Sequence, residues 1–130
     1  MPILKTVSEN KAKGKIKKIY DEIKKTRRIN KIPNFWKTLA NDPTTLERTW
    51  RSLVQVMQKG SLDPLTKEII YIAVSMTNSC DYCIRSHTFA AKKKGLTDSM
   101  LKELISVVAM ANETNRLVES YQVEVDNYLK

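Results

Sequence analysis

Glycine and proline are scarce in this chain, at three and four residues of 130. A β-sandwich or barrel needs frequent turns built from those residues, so their scarcity favours helix. No apolar run reaches the length of a bilayer span. The opening residues Met1-Pro2-Ile3-Leu4-Lys5 carry no apolar signal-peptide core, so a cytoplasmic location is expected. There is no low-complexity tract and no internal repeat. The length allows one domain with one core and leaves no room for a second. Cysteine occurs only twice and histidine once.

What the chain does have is basic charge, with Lys and Arg exceeding Asp and Glu by nine. Such a surface can attract nucleic acid, an anionic membrane or an acidic protein. Much of the excess is lysine in residues 11–31 and 92–94, with no glycine-rich or aromatic-interleaved motif beside it. That pattern reads as solvated helix faces, so neither a nucleic-acid nor a membrane partner is expected.

Hydrophobic spacing predicts an all-α fold of about seven helices. Residues 1–29 form an arm and a basic amphipathic helix, 8–27, capped by Ser8 with Ile16, Ile19, Tyr20 and Ile23 inward. Pro33 opens a short helix carrying Phe35, Trp36, Leu39 and Ala40. Asp42-Pro43 starts a helix with Leu46, Trp50, Leu53, Val54 and Met57 inward, and Gly60 ends it. Asp63-Pro64 opens the most apolar helix, residues 64–77, expected to be buried on most sides. Ser79 is placed to cap a helix that runs to about Lys94 and stops at Gly95. Thr97 caps the next, with Met100, Leu101, Leu104, Ile105, Val107 and Val108 inward. A last helix spans 113–128, carrying Leu117, Val118, Tyr121 and Val125.

The stretch Asn78-Ser79-Cys80-Asp81-Tyr82-Cys83-Ile84-Arg85-Ser86-His87 concentrates the chemistry. It holds both cysteines and the sole histidine in the pattern Cys-x-x-Cys-x-x-x-His. On a helix, Cys80, Cys83 and His87 share one stripe. A thiol reacts as thiolate, and its pKa falls at a helix N-terminus, beside a base, or within Cys-x-x-Cys. All three influences can act here, and His87 can accept the thiol proton. Glu68 lies twelve residues before Cys80 at the edge of an apolar helical face. Buried, it needs a partner, and His87 is the economical one; exposed, it faces solvent or pairs with a lysine. In a cytoplasmic chain a Cys-x-x-Cys pair is redox-active or metal-binding more often than a structural staple.

Glu68, Cys80, Cys83 and His87 at these separations resemble the signature of the AhpD-like alkylhydroperoxidases of the carboxymuconolactone decarboxylase superfamily. The resemblance covers roughly residues 30–115, including the apolar helix before the thiols and the Ala-Lys-Lys-Lys-Gly-Leu segment after them. It implies a compact helical domain that oligomerises, with sites near subunit contacts, and no cofactor beyond a redox-active Cys80–Cys83 disulfide. It implies peroxidase chemistry in which Cys83 attacks the peroxide, Cys80 resolves the sulfenic acid, and Glu68 and His87 relay the proton. The substrate would be a hydroperoxide or small disulfide, and the reductant a lipoyl group or another dithiol on a partner protein. The best-known members carry a second histidine between the cysteines; here that position is Tyr82, which alters one element of the relay. Tyr82, Trp36 and Trp50 are further candidates for the relay or for a pocket wall. Trp36 and Trp50 read equally well as core or subunit-contact aromatics.

Two other readings use the same four residues. One is a general disulfide reductase without peroxidase activity. The other is a zinc-binding, non-enzymatic protein, although structural zinc sites usually draw a second ligand pair that this sequence lacks. A scaffold with inert thiols fits less well, because Ser79 and Asp81 flank Cys80 with polar groups.

Overall fold

A computed structural model describes residues 2–130. Among them there are six α-helices and no strand: α1 (Gly14–Arg27), α2 (Asn34–Leu39), α3 (Pro43–Met57), α4 (Pro64–Thr77), α5 (Asp81–Lys93) and α6 (Asp98–Tyr121). Short 3-10 turns occupy Glu9–Lys11 and Asn127–Leu129. The all-α expectation is met, with six α-helices where about seven were expected.

The missing helix is a merger. The spacing predicts one helix from Thr97 through Val108 and another over 113–128, but α6 runs unbroken through Asn112 to Tyr121. No glycine or proline lies between Gly95 and the chain end, so nothing forces a stop. Asn112 is held inside the helix by donating to the Val108 carbonyl at 2.8 Å and to Thr77 Oγ1 at 3.0 Å. The first helix is shorter than expected. Ser8 makes no side-chain cap and precedes only the 3-10 turn, so α1 begins at Gly14. Likewise α3 ends at Met57, before Gly60 is reached.

Three helix starts follow their sequence signals. Asp42 accepts from the Thr44 N–H, Asp63 from the Thr66 N–H, and the Thr97 hydroxyl from the Met100 N–H. Each such cap stabilises its helix by about 1 kcal/mol.

The chain divides into two compact units, Met1–Gln58 and Lys59–Lys130. In the first, α1 packs on α3 and α2 on α3. Its core gathers Ile19, Tyr20, Ile23, Ile32, Trp36, Ala40, Leu46 and Trp50, all buried. The rings of Trp36 and Trp50 meet edge to face at 5.4 Å. The N-terminal arm is tied down by the Tyr20 hydroxyl donating to the Val7 carbonyl at 2.8 Å and the Val7 N–H to the Lys37 carbonyl at 2.9 Å. Charge is concentrated here. Residues 1–58 hold fourteen Lys and Arg against five Asp and Glu, whereas residues 59–130 hold nine of each. The basic excess therefore belongs to the unit without the cysteines.

In the second unit α4 packs on α5 and α6. Ile72, Ala91 and Leu96 are buried, with Leu65, Ile69, Met76, Met100, Leu101 and Leu104 against them. Burial of α4 is narrower than its composition predicts. Glu68, Ile72 and Ser75 are buried, but Ile70, Tyr71 and Val74 are exposed. Ile105 and Val107, expected inward, are also exposed, as are Val54 on α3 and Leu117, Val118, Tyr121 and Val125 toward the chain end. Among the described residues, no helix is long and apolar enough to cross a membrane.

Candidate active site

The site is built around the junction of α4 and α5. Ser79 takes a left-handed conformation, φ 56°. Its N–H donates to the Met76 carbonyl at 3.2 Å, and the Cys80 N–H donates to the Ser75 carbonyl at 3.0 Å. These are the two bonds of a Schellman motif, which closes a helix and reverses the chain. Cys80 then opens α5. Its Sγ accepts from the Cys83 N–H at 3.4 Å. The expected cap, Ser79, is instead the left-handed turn residue, and Cys80 itself is the N-cap.

Cys80 and Cys83 are joined by a disulfide, with Cα atoms 5.3 Å apart. Both sulfurs therefore sit in the first turn of α5, where unpaired N–H groups and the helix dipole favour a thiolate once the bond is reduced. His87 follows Cys83 by one helical turn.

Glu68 is only 6% exposed, which decides between the two sequence readings of it. Its Oε2 lies 2.7 Å from His87 Nδ1, and its Oε1 accepts from Lys94 Nζ at 3.2 Å. Burial pushes the carboxyl up, but the hydrogen bonds from His87 and Lys94 and the lysine charge outweigh it. The net result is a carboxyl held below its ordinary value. Glu68 is thus an ionised, acceptor-only group at neutral pH. The bond therefore assigns a proton to His87 Nδ1 and leaves Nε2 outside it. The imidazole face is covered by Tyr71, whose ring stacks on it at 3.6 Å and 20°.

Among the residues singled out from sequence, the fold brings together Cys80 with Cys83 and Glu68 with His87. Tyr82 lies between the cysteines on the exposed side of α5. Trp36 and Trp50 belong to the core of the first unit, 1% and 2% exposed and packed on each other. Among the described residues, no three or more His, Cys, Asp or Glu side chains are grouped to hold a metal ion.

Sequence reasoning missed two members of the cluster, Tyr71 and Lys94. Tyr71 lies one turn beyond Glu68 on α4, so a search for partners at i+3 would have found it. Lys94 lies two turns beyond His87, on the same stripe, but it stood in a run of three lysines read as solvated.

The sequence pattern of the Carboxymuconolactone decarboxylase family matches residues 43–123. The crystal structure of the alkylhydroperoxidase AhpD core from Rhodospirillum rubrum superposes with a TM-score of 0.95 at 40% identity, over 99% of this chain and 97% of that one. An alkyl hydroperoxide reductase AhpD from Solibacter usitatus is 26% identical over 98 residues, 75% of this chain and 54% of its own. Uncharacterized protein 4 in the cox locus of Paracoccus denitrificans is 37% identical over 54 residues, 42% of this chain and 49% of its own. The chain spans about half the length of these two curated relatives. With a family pattern across most of the chain and an AhpD core of the same fold end to end, the chain belongs to the carboxymuconolactone decarboxylase family, as an AhpD-like member.

Proposed function

We propose that the chain is a thiol peroxidase that reduces hydroperoxides through Cys80 and Cys83. The observation that carries the reading is the 2.7 Å bond between His87 Nδ1 and Glu68 Oε2, one helical turn from a cysteine pair able to close a disulfide. In this reading the bond holds the imidazole by Nδ1, so that Nε2 serves as the base on the helix that bears the thiols. The name of the Solibacter relative, an alkyl hydroperoxide reductase, supports the same class of reaction.

In the reduced enzyme His87 Nε2 takes the Cys83 proton, directly or through a water. The thiolate attacks the distal peroxide oxygen. The O–O bond breaks, the alcohol leaves with the proton from His87, and Cys83 becomes a sulfenic acid. The Cys80 thiol then attacks Cys83 sulfur and expels water, forming the disulfide seen here. Two electrons from a dithiol restore both thiols. A lipoyl group or other dithiol on a carrier protein, in a reducing cytoplasmic compartment, fits that need. Tyr82, in place of a second histidine, leaves His87 as the only imidazole in the chain, so a single base carries the relay.

The test is a single turnover. Fully reduced, metal-free protein receives one equivalent of an organic hydroperoxide, and peroxide loss and intact mass are followed together. Stoichiometric peroxide loss with loss of two hydrogens and a Cys80–Cys83 linkage is the expected result. Inert thiols toward peroxide, with rapid exchange against a small disulfide, would replace the proposal by a general disulfide reductase.

A further inference from the structure

Glu68 divides its two oxygens between two cationic or donor groups. Oε2 faces His87 and Oε1 faces Lys94, whose side chain is 38% exposed against 7% for the carboxylate. We infer that Lys94 is a positioning residue of the relay, which keeps His87 a neutral base by drawing part of the Glu68 charge away from it. The inference rests on the role of His87 proposed above, but its first test does not.

The physical argument starts from the carboxylate. A buried anion with one partner favours the charged form of that partner, here the imidazolium. An imidazolium has no lone pair and cannot take a thiol proton. A second cation on the other oxygen stabilises the carboxylate independently and lowers its pull on the ring. Lys94 is built into place for this. It is the C-cap of α5, and its N–H donates to the Ala91 carbonyl at 2.9 Å. The next residue, Gly95, takes φ 106°, and Leu96 returns to bond Ala91 and bury itself. The lysine stem is thereby fixed two turns from His87.

From α4 the ring meets Glu68 and the phenol of Tyr71; from α5 the cluster receives Lys94 alone, because Lys92 pairs with Asp98 and the Lys93 ammonium sits over the Phe89 ring. The charged residues that begin α6 are that same Asp98 and the exposed Lys102 and Glu103.

His87 is the sole histidine, so its proton resonances are unambiguous in the full chain. We would titrate its imidazole by NMR in the oxidised protein, where no thiolate adds charge. The parent is compared with Lys94→Met, Lys94→Gln and Lys94→Arg, each checked for folding by circular dichroism. Loss of the lysine charge should move the imidazole midpoint to higher pH, a gain in proton affinity of about 3- to 10-fold. The arginine variant should titrate near the parent. In the reduced enzyme, the acid limb of the peroxide pH–rate profile should move the same way. Neutral variants that titrate with the parent overturn the inference, as does an arginine variant that behaves like methionine. A midpoint shift in a protein that consumes no peroxide keeps the Lys94 coupling and defeats the peroxidase reading. Peroxide turnover without a midpoint shift does the reverse.

Discussion

The Cys80 N–H donates to the Ser75 carbonyl at 3.0 Å, so the cysteine that begins α5 also finishes α4. One residue closes a Schellman motif and serves as the next N-cap. This fixes the sulfur of Cys80 relative to both helices and allows no linker between the carboxylate-bearing helix and the thiol-bearing one. The arrangement depends on Ser79 at φ 56°, a region that costs a non-glycine residue about 1 kcal/mol or more.

Ser79→Gly should therefore be neutral or stabilising by up to about 1 kcal/mol, the relief of strain being offset in part by greater freedom of the unfolded chain. Ser79→Val should destabilise by about 1–2 kcal/mol. Gly95→Ala should also destabilise by about 1–2 kcal/mol. Its φ is 106°, and an added Cβ meets nothing within 4 Å, so the cost is conformational alone. Urea unfolding of the oxidised protein measures all three. Loss of stability in Ser79→Gly would show that the serine side chain, not the backbone, holds the turn.

Glu68 should make stability pH-dependent. Its carboxyl is held below the ordinary value, so its contribution is full above the unfolded carboxyl value near 4.5. It is lost as pH falls through the lower folded value. Glu68→Gln should be less stable than the parent by about 1–3 kcal/mol near pH 7, and the gap should narrow as the medium is acidified. Paired urea titrations from neutral pH to below the carboxyl range check this. A gap that stays constant across that range would mean that the carboxyl is not held low.

The sequence disclosed the site through spacing, because four chemically distinctive residues recur rarely by chance in that order. Asp42-Pro43, Asp63-Pro64 and Thr97 disclosed helix starts because a cap is a local interaction between near neighbours. What stayed hidden depends on contacts between helices. Lys94 was indistinguishable from its two lysine neighbours until the turn at Gly95 set its direction, and Asn112 gave no sign that Thr77 would hold it within one helix. The inward faces of α4 and α6 were overread for a related reason. Apolar periodicity marks surface that must be covered, without saying whether the same chain covers it.

The two cysteines should separate by product. Cys83→Ser should abolish peroxide consumption, because the thiol assigned to attack the peroxide is gone. Cys80→Ser should consume one equivalent and stop, holding a sulfenic acid on Cys83 that gains one oxygen atom by intact mass and is captured by a carbon nucleophile. Full turnover by Cys83→Ser would reverse the assigned roles.

Self-association is the remaining consequence of the exposed apolar surface. α6 has 24 residues and none is buried; Val107, Met110, Leu117 and Val118 stand 49–65% exposed, and Tyr121 79%. On α4 and α5, Ile70, Val74 and Phe89 are likewise exposed. A helix whose second half lies open is poorly stable in water, and apolar surface on this scale marks an interface. A second copy is the simplest cover, since the same chain supplies apolar faces on three helices and closed symmetry can bury them all. We expect the protein to sediment as an oligomer, and Val107→Glu with Leu117→Glu to shift it toward the monomer and lower its thermal midpoint. Peroxide turnover measured across the same concentration series would show whether assembly completes the site. A parent that sediments as a monomer at every concentration tested would rule out a second copy as the cover of the α6 face.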